Sequence, residues 1–178
     1  TTLMNMMSGI YFPDHGQIFV DGKEVVIRSP KDAFDLKIGM IHQHFKLVDV
    51  FSATENIVLG YDDGKYNLKK SRAKIQAILD KYGFELDLNK KIYQMSVSEK
   101  QTVEIVKVLY RGADILILDE PTRNFSPLSG PVIRQMLAAF PGAIISISHD
   151  RKYIMEVCEK VYRLGTHGLV ETNLQSEG

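Results

Sequence analysis

Residues 115–122 read ILILDEPT. Four apolar residues in a row, with no polar alternation and too few for a core helix, predict a strand covered on both faces. The run stops at two adjacent carboxylates, Asp119 and Glu120. Pro121 has no N–H and halts the pairing there. In an open parallel sheet, ligands gather at the carboxyl ends of the strands. Asp119 is therefore a candidate ligand for Mg²⁺, and Glu120 a candidate to orient or deprotonate an attacking water. Taken alone, the pair has a plainer reading as a helix cap or a salt-bridged acidic couple.

Outward from this strand, the pattern alternates buried strands with helices. AIISIS (143–148) reads as another buried strand, preceded by a helix from Pro131 through Ala139 and followed by one over 151–158. KIGMI (37–41) reads as a short buried strand running into Gln43. Asp21-Gly22 marks a hairpin turn between QIFV and KEVVI. Ser29-Pro30 opens a short helix, serine as cap and proline at the first helical position. Ser52-Ala-Thr-Glu55 and Ser96-Val-Ser-Glu99 both have capping-box spacing, which starts helices that stop near Gly60 and Gly112. Residues 68–82 form an amphipathic helix with Leu68, Ile75, Ile78, Leu79 and Tyr82 apolar and Gly83 as its stop. At the start of the chain, Leu3, Met6, Met7 and Ile10 fall at i, i+3, i+4 and i+7, which predicts one buried helix face ended by Gly9. VYRL and GLVE read as a closing hairpin around Gly165 and Gly168. The expectation is an α/β fold with a helix-rich insertion at about 61–112.

Composition narrows the function classes. Lys+Arg and Asp+Glu are both 22, so no global field draws this chain to nucleic acid or to an acidic membrane. No apolar run approaches the ~20 residues that span a bilayer. The single cysteine, Cys158, excludes an internal disulfide and reads as a small residue packed in the core.

Three further residues extend the candidate site. Gln43 follows the strand KIGMI, Ser96 begins a helix whose N-terminal N–H groups are candidates to receive a phosphate, and His149 follows AIISIS as a candidate to touch a terminal phosphate oxygen. Each has a dull alternative: a surface loop residue, a plain N-cap and a satisfied histidine. It is their order around ILILDE that points to nucleotide chemistry.

With these motifs the chain resembles the nucleotide-binding domain of ATP-binding cassette (ABC) ATPases along nearly its whole length. The resemblance implies a P-loop NTPase, RecA-like core with a mainly parallel sheet over 1–60 and 113–178, and a helical subdomain over about 61–112. It implies that Gln43 is the Q-loop glutamine, MSVSEKQ the signature motif, ILILDE the Walker B strand and His149 the switch histidine. TTLMNMMSGIYFPDHGQI resembles the segment directly after a Walker A loop in sugar and nucleoside importers. Thr1 then matches the last, Mg²⁺-ordering position of G-x-x-x-x-G-K-[ST], and the fold is expected to be N-terminally truncated. The implied metal positions are Asp119, Thr1 and Gln43. The implied nucleotide-binding positions are Thr1, Thr2, Ser96, Ser98 and Glu99, and the implied catalytic ones are Glu120, His149 and Gln43.

The cofactors implied are ATP and Mg²⁺. The partners implied are a second nucleotide-binding domain, head to tail, and a transmembrane permease at the inner face of the cell membrane, with no direct DNA binding. Two departures matter. Ser98 stands where the signature usually has glycine, and Ser126 where the D-loop usually has aspartate. The stretch from PTRNF to VYRL resembles ABC-F proteins, whereas residues 1–120 resemble importers, with a seam near residue 122. Hence an importer ATPase that binds ATP weakly without its glycine loop is expected first. A catalytically dead, recombined or engineered fold used for interaction comes second, and an ABC-F factor acting on ribosomes third.

Overall fold

The core is organised by three parallel strands. A computed structural model describes residues 2–42, 44–61, 67–124, 127, 129–166 and 168–172. In it β3 (Ile38–Ile41), β4 (Ile115–Asp119) and β5 (Ala143–Ile147) form one sheet in that order. Ile41 pairs with Leu118, and Asp119 with Ile147, so the three strands end together. β4 is central, and Leu116, Ile117 and Leu118 are all buried, as the ILIL run predicts. The expected burial of AIISIS is corrected: β5 lies outside β4, and Ala143 and Ile145 point away from the core. Ile144 alone of its isoleucines up to that point packs inward.

Local signals in the sequence set most element ends. α1 (Thr2–Met7) is followed by Gly9 in the left-handed region. A Cβ on Gly9 would sit 2.2 Å from the Ser29 carbonyl oxygen. The predicted buried stripe of α1 is corrected too: Met4 is the buried residue, while Leu3 and Ile10 are exposed. The helix is only six residues long, and Ile10 lies beyond its glycine stop. β1 (Ile18–Val20) and β2 (Lys23–Val25) make the hairpin, with Asp21 and Gly22 both at positive φ, the geometry a two-residue turn needs. α2 (Pro30–Asp35) is capped by Ser29, whose hydroxyl accepts from the Asp32 N–H.

α3 (Ala53–Val58) and α5 (Val97–Tyr110) both open with complete capping boxes, at Ser52/Glu55 and Ser96/Glu99. The Ser52 N–H and hydroxyl, with Lys91, hold the Glu55 carboxyl down to about 2. α4 (Leu68–Tyr82) ends at Gly83 in the left-handed region, and it buries Ile75 and Leu79 while Leu68 stays exposed. α6 (Ser129–Ala138) starts two residues before Pro131, which still falls in the first turn where no N–H is needed. α7 (Arg151–Val157) is capped by Asp150, and Cys158 follows it, half-buried. β6 (Val161–Gly165) and β7 (Gly168–Thr172) close as an antiparallel hairpin.

α3, α4 and α5 pack on one another, and α5 also lies on β3. That last contact is tight, since a Cβ on Gly39 would meet Val108 Cγ1 at 2.2 Å and Ala113 Cβ at 3.0 Å. Gly39→Ala is expected to lower the unfolding free energy by about 1–3 kcal/mol through overpacking. Urea unfolding checks this, and Val108→Ala alongside it should recover part of the loss.

Candidate functional site

The common end of the three strands carries the site. Asp119 is the last residue of β4 and is 4% exposed, so its carboxylate sits inside the sheet's rim. Glu120 follows with φ at 49°, a left-handed conformation that costs a non-glycine residue about 1–2 kcal/mol. Several bonds hold it there. The Glu120 N–H donates to the Ile147 carbonyl at 2.9 Å, which extends the β4–β5 ladder one residue past its strand. Its own carbonyl accepts from the Arg123 N–H, closing the 3-10 turn Pro121–Asn124. From α5, the buried Gln101 side chain donates Nε2–H to the Pro121 carbonyl at 2.8 Å.

Here the chain turns so that Glu120 meets His149. Nε2 of His149 lies 3.4 Å from Oε1 of Glu120, with the imidazole almost fully exposed and the carboxylate mostly covered. A carboxylate beside an exposed imidazole can accept a proton from water on one side and keep an N–H donor aimed outward on the other. His42, next along from β3, is half-buried; burial and the nearby Lys46 charge hold its imidazole below the ordinary value, against the pull of Asp119.

The sequence-predicted residues divide into three groups. Asp119, Glu120 and His149 come together. Thr1, Gln43 and the D-loop position Ser126 lie outside the described residues. Ser96, Ser98 and Glu99 sit at the start of α5 and face a different set of partners. The Ser96 hydroxyl accepts from the Glu99 N–H, and the Glu99 carboxylate takes the Ser96 N–H and Lys90 Nζ at 2.7 Å. Thr2 is exposed at the start of α1. Gln101, His42 and Glu104 were not singled out from the sequence. The signal for two of them was present: a glutamine and a glutamate interrupt the apolar face of α5, where polar groups need buried partners.

Among the described residues, no three His, Cys, Asp or Glu side chains form a metal cage. Mg²⁺ takes one or two carboxylates plus phosphate oxygens and keeps several waters. The oxygen donor at Asp119 fits it. No helix among the described residues is long and apolar enough to cross a membrane.

The ABC transporter family model matches residues 1–123. The chain belongs to the ABC transporter family. A putative carbohydrate transport ATP-binding protein of Mycoplasma pneumoniae is 38% identical over 98% of this chain and 34% of its own length. The guanosine import ATP-binding protein NupO of Bacillus subtilis is 48% identical over 71% of this chain and 26% of its own. The chain thus spans about a third or less of these relatives. Among solved structures, the ATP-binding cassette MJ0796, in a dimeric post-hydrolysis state bound to ADP and Pi, superposes with a TM-score of 0.79. The match covers 99% of this chain and 81% of that one at 21% identity, and it shows the shared fold. In this ABC-family chain the sheet rim described above is the end where β4 delivers the ILILDE motif.

The strained backbone at Glu120 has a measurable consequence. Glu120→Gly is expected to raise the unfolding free energy by about 1 kcal/mol, because glycine adopts positive φ without a Cβ clash. Chemical denaturation of the two proteins checks it, and a less stable glycine variant would show that the carboxylate's contacts outweigh the strain.

Proposed function

We propose that this chain is the ATP-hydrolysing part of an importer's ATP-binding subunit, for a sugar or a nucleoside. The observation that carries the reading is the approach of His149 to Glu120, beside Asp119, at the ends of adjacent parallel strands. On this reading Asp119 and Gln43 would hold Mg²⁺, together with the hydroxyl of Thr1. The ion would supply charge neutralisation on the phosphates. Glu120 orients the attacking water and draws its proton, and the exposed His149 imidazole, with Nε2 beside Glu120, stands at the open side toward the γ-phosphate. Asp119, buried at the end of β4, would offer its carboxylate from within the rim. Residues 1–60 and 113–178 act as the RecA-like core, and about 61–112 as the helical subdomain.

The partners proposed are a second nucleotide-binding domain, placed head to tail so that Ser96, Ser98 and Glu99 face its nucleotide, and a permease at the cytoplasmic face of the membrane. The names of the two relatives, one for carbohydrate transport and one for guanosine import, support a transport role. The carbohydrate transport relative aligns across 98% of the chain, which extends the transporter likeness past residue 122 into the stretch that resembles ABC-F proteins.

A second reading, an interaction module without catalysis, is favoured by one feature. Ser96 and Glu99 spend their side-chain groups on each other and on Lys90, and Ser98 adds bulk where a phosphate would approach the backbone. Calorimetry of ATP·Mg²⁺ binding decides between them, on the 178 residues and on a version with a complete G-x-x-x-x-G-K loop ahead of Thr1. Binding by the longer version alone is the expected result. In that version Glu120→Gln should lower turnover by about 10²–10⁴-fold while ATP binding persists. No binding by either version would favour the interaction module.

A further inference from the structure

The loop after Gln43 is tied to two helices by buried polar side chains. The Lys46 N–H donates to Glu104 Oε1 at 3.0 Å, across 58 residues of sequence. Two residues on, the Val48 N–H donates to Asn56 Oδ1 at 2.8 Å, and Asn56 Nδ2 donates back to the Val48 carbonyl. Glu104 is 4% exposed and Asn56 fully buried. Between these anchors Leu47 packs against the core. The loop is thus fastened through its backbone at Lys46 and Val48 and through the Leu47 side chain between them.

Glu104 lies on α5, three residues after Gln101, hence on the same helix face. Gln101 holds the Pro121 carbonyl immediately after Glu120. Ser96 caps the same helix about 7.5 Å further along its axis from Gln101. One rigid helix therefore touches the loop after Gln43, the turn after Glu120 and the segment that starts at Ser96.

We propose that Glu104 is a positioning residue: it locks loop 44–48 to α5, so that the loop continuing from Gln43 and the Ser96 end of the helix move as one body. This rests on the reading above, in which Gln43 serves this chain's own nucleotide and Ser96 a partner's. Glu104 then links two nucleotide sites through a single helix. A glutamate at this point has a physical reason. A charged acceptor makes a shorter and stronger bond to a backbone N–H than a neutral one does. The groups facing it are Lys46 from the loop and Lys107 and Arg111 from α5, and they favour its charge against the burial that pushes its carboxyl up. Arg111 in turn donates to the Leu59 carbonyl at 2.6 Å, fastening the far end of α5 to the segment after α3.

The test is amide hydrogen exchange of the 178-residue chain by NMR, without nucleotide, so that a failure to bind ATP leaves its outcome intact. Glu104→Leu is expected to speed exchange at Lys46 by about tenfold or more, because its amide loses its acceptor. The strand 115–119 should keep its protection, and Glu104→Gln, which keeps a neutral acceptor oxygen, should fall between the parent and the leucine variant. Unchanged exchange at Lys46 in Glu104→Leu overturns the proposal. So does a rise shared equally by residues 115–119, or a Glu104→Gln variant that behaves like the leucine one. Should Glu104→Leu not fold, the Lys46 amide resonance of the parent decides. It should follow a carboxyl titration that is missing in Glu104→Gln, and a resonance with no such step overturns the proposal.

Discussion

Everything at the site depends on β4 being paired on both sides in one register. Because Ile41 faces Leu118 and Asp119 faces Ile147, the residues that follow the three strands emerge on a common rim. His42, the Asp119–Glu120 pair and His149 come from parts of the sequence more than 100 residues apart at the extremes, and only the ladder makes them neighbours. A slip of one residue would turn every side chain of β4 to the opposite face and point Asp119 away from its present surroundings. The apolar run ILIL protects that register, since both of its faces are filled and neither tolerates a polar exchange.

α5 is the second organising element, and it works through polar groups in an apolar setting. Gln101 and Glu104 are as buried as Val103 and Ile105 beside them. Placing an amide and a carboxylate there is unfavourable unless each finds a partner, and each finds a backbone group in a loop next to the site. Such bonds are directional, whereas apolar packing is not, so they fix where loops lie and not merely that they are covered. The tight approach of Val108 to Gly39 brings the helix near enough to the sheet for those bonds to form.

Much of this was legible in the sequence because it is governed by neighbours three or four residues away. The caps at Ser29, Ser52 and Ser96, the Asp21-Gly22 turn, and the stops at Gly60, Gly83 and Gly112 all follow from local backbone chemistry. The ILIL strand and its terminal carboxylates were legible for the same reason. What depends on distant packing was not. Periodicity could not tell that Met4, rather than Leu3, turns inward, nor that β5 leaves Ile145 exposed. Glu104 meets Lys46 across a separation no local rule covers, and the left-handed backbone at Glu120 is imposed by Ile147 and Gln101 from outside its own segment. In the candidate site, order along the chain picked out Asp119, Glu120 and His149, while the committed partners of Ser96 and Glu99 emerged only from the fold.

The opposite end of the sheet is built quite differently. There the Lys37 carbonyl accepts from both Asp114 and Ile115, the Ala143 N–H donates to the Asp114 carbonyl, and a Cβ on Gly142 would lie 2.0 Å from that same oxygen. Main chain meets main chain, with no room for variation. The foot of the sheet is thus held by main-chain bonds, whereas the rim presents the side chains that would do chemistry. Evolution working on such a scaffold is free to exchange rim side chains, even to abolish turnover, while the architecture persists. A fold of this kind can outlive its own activity and be put to use as a shape.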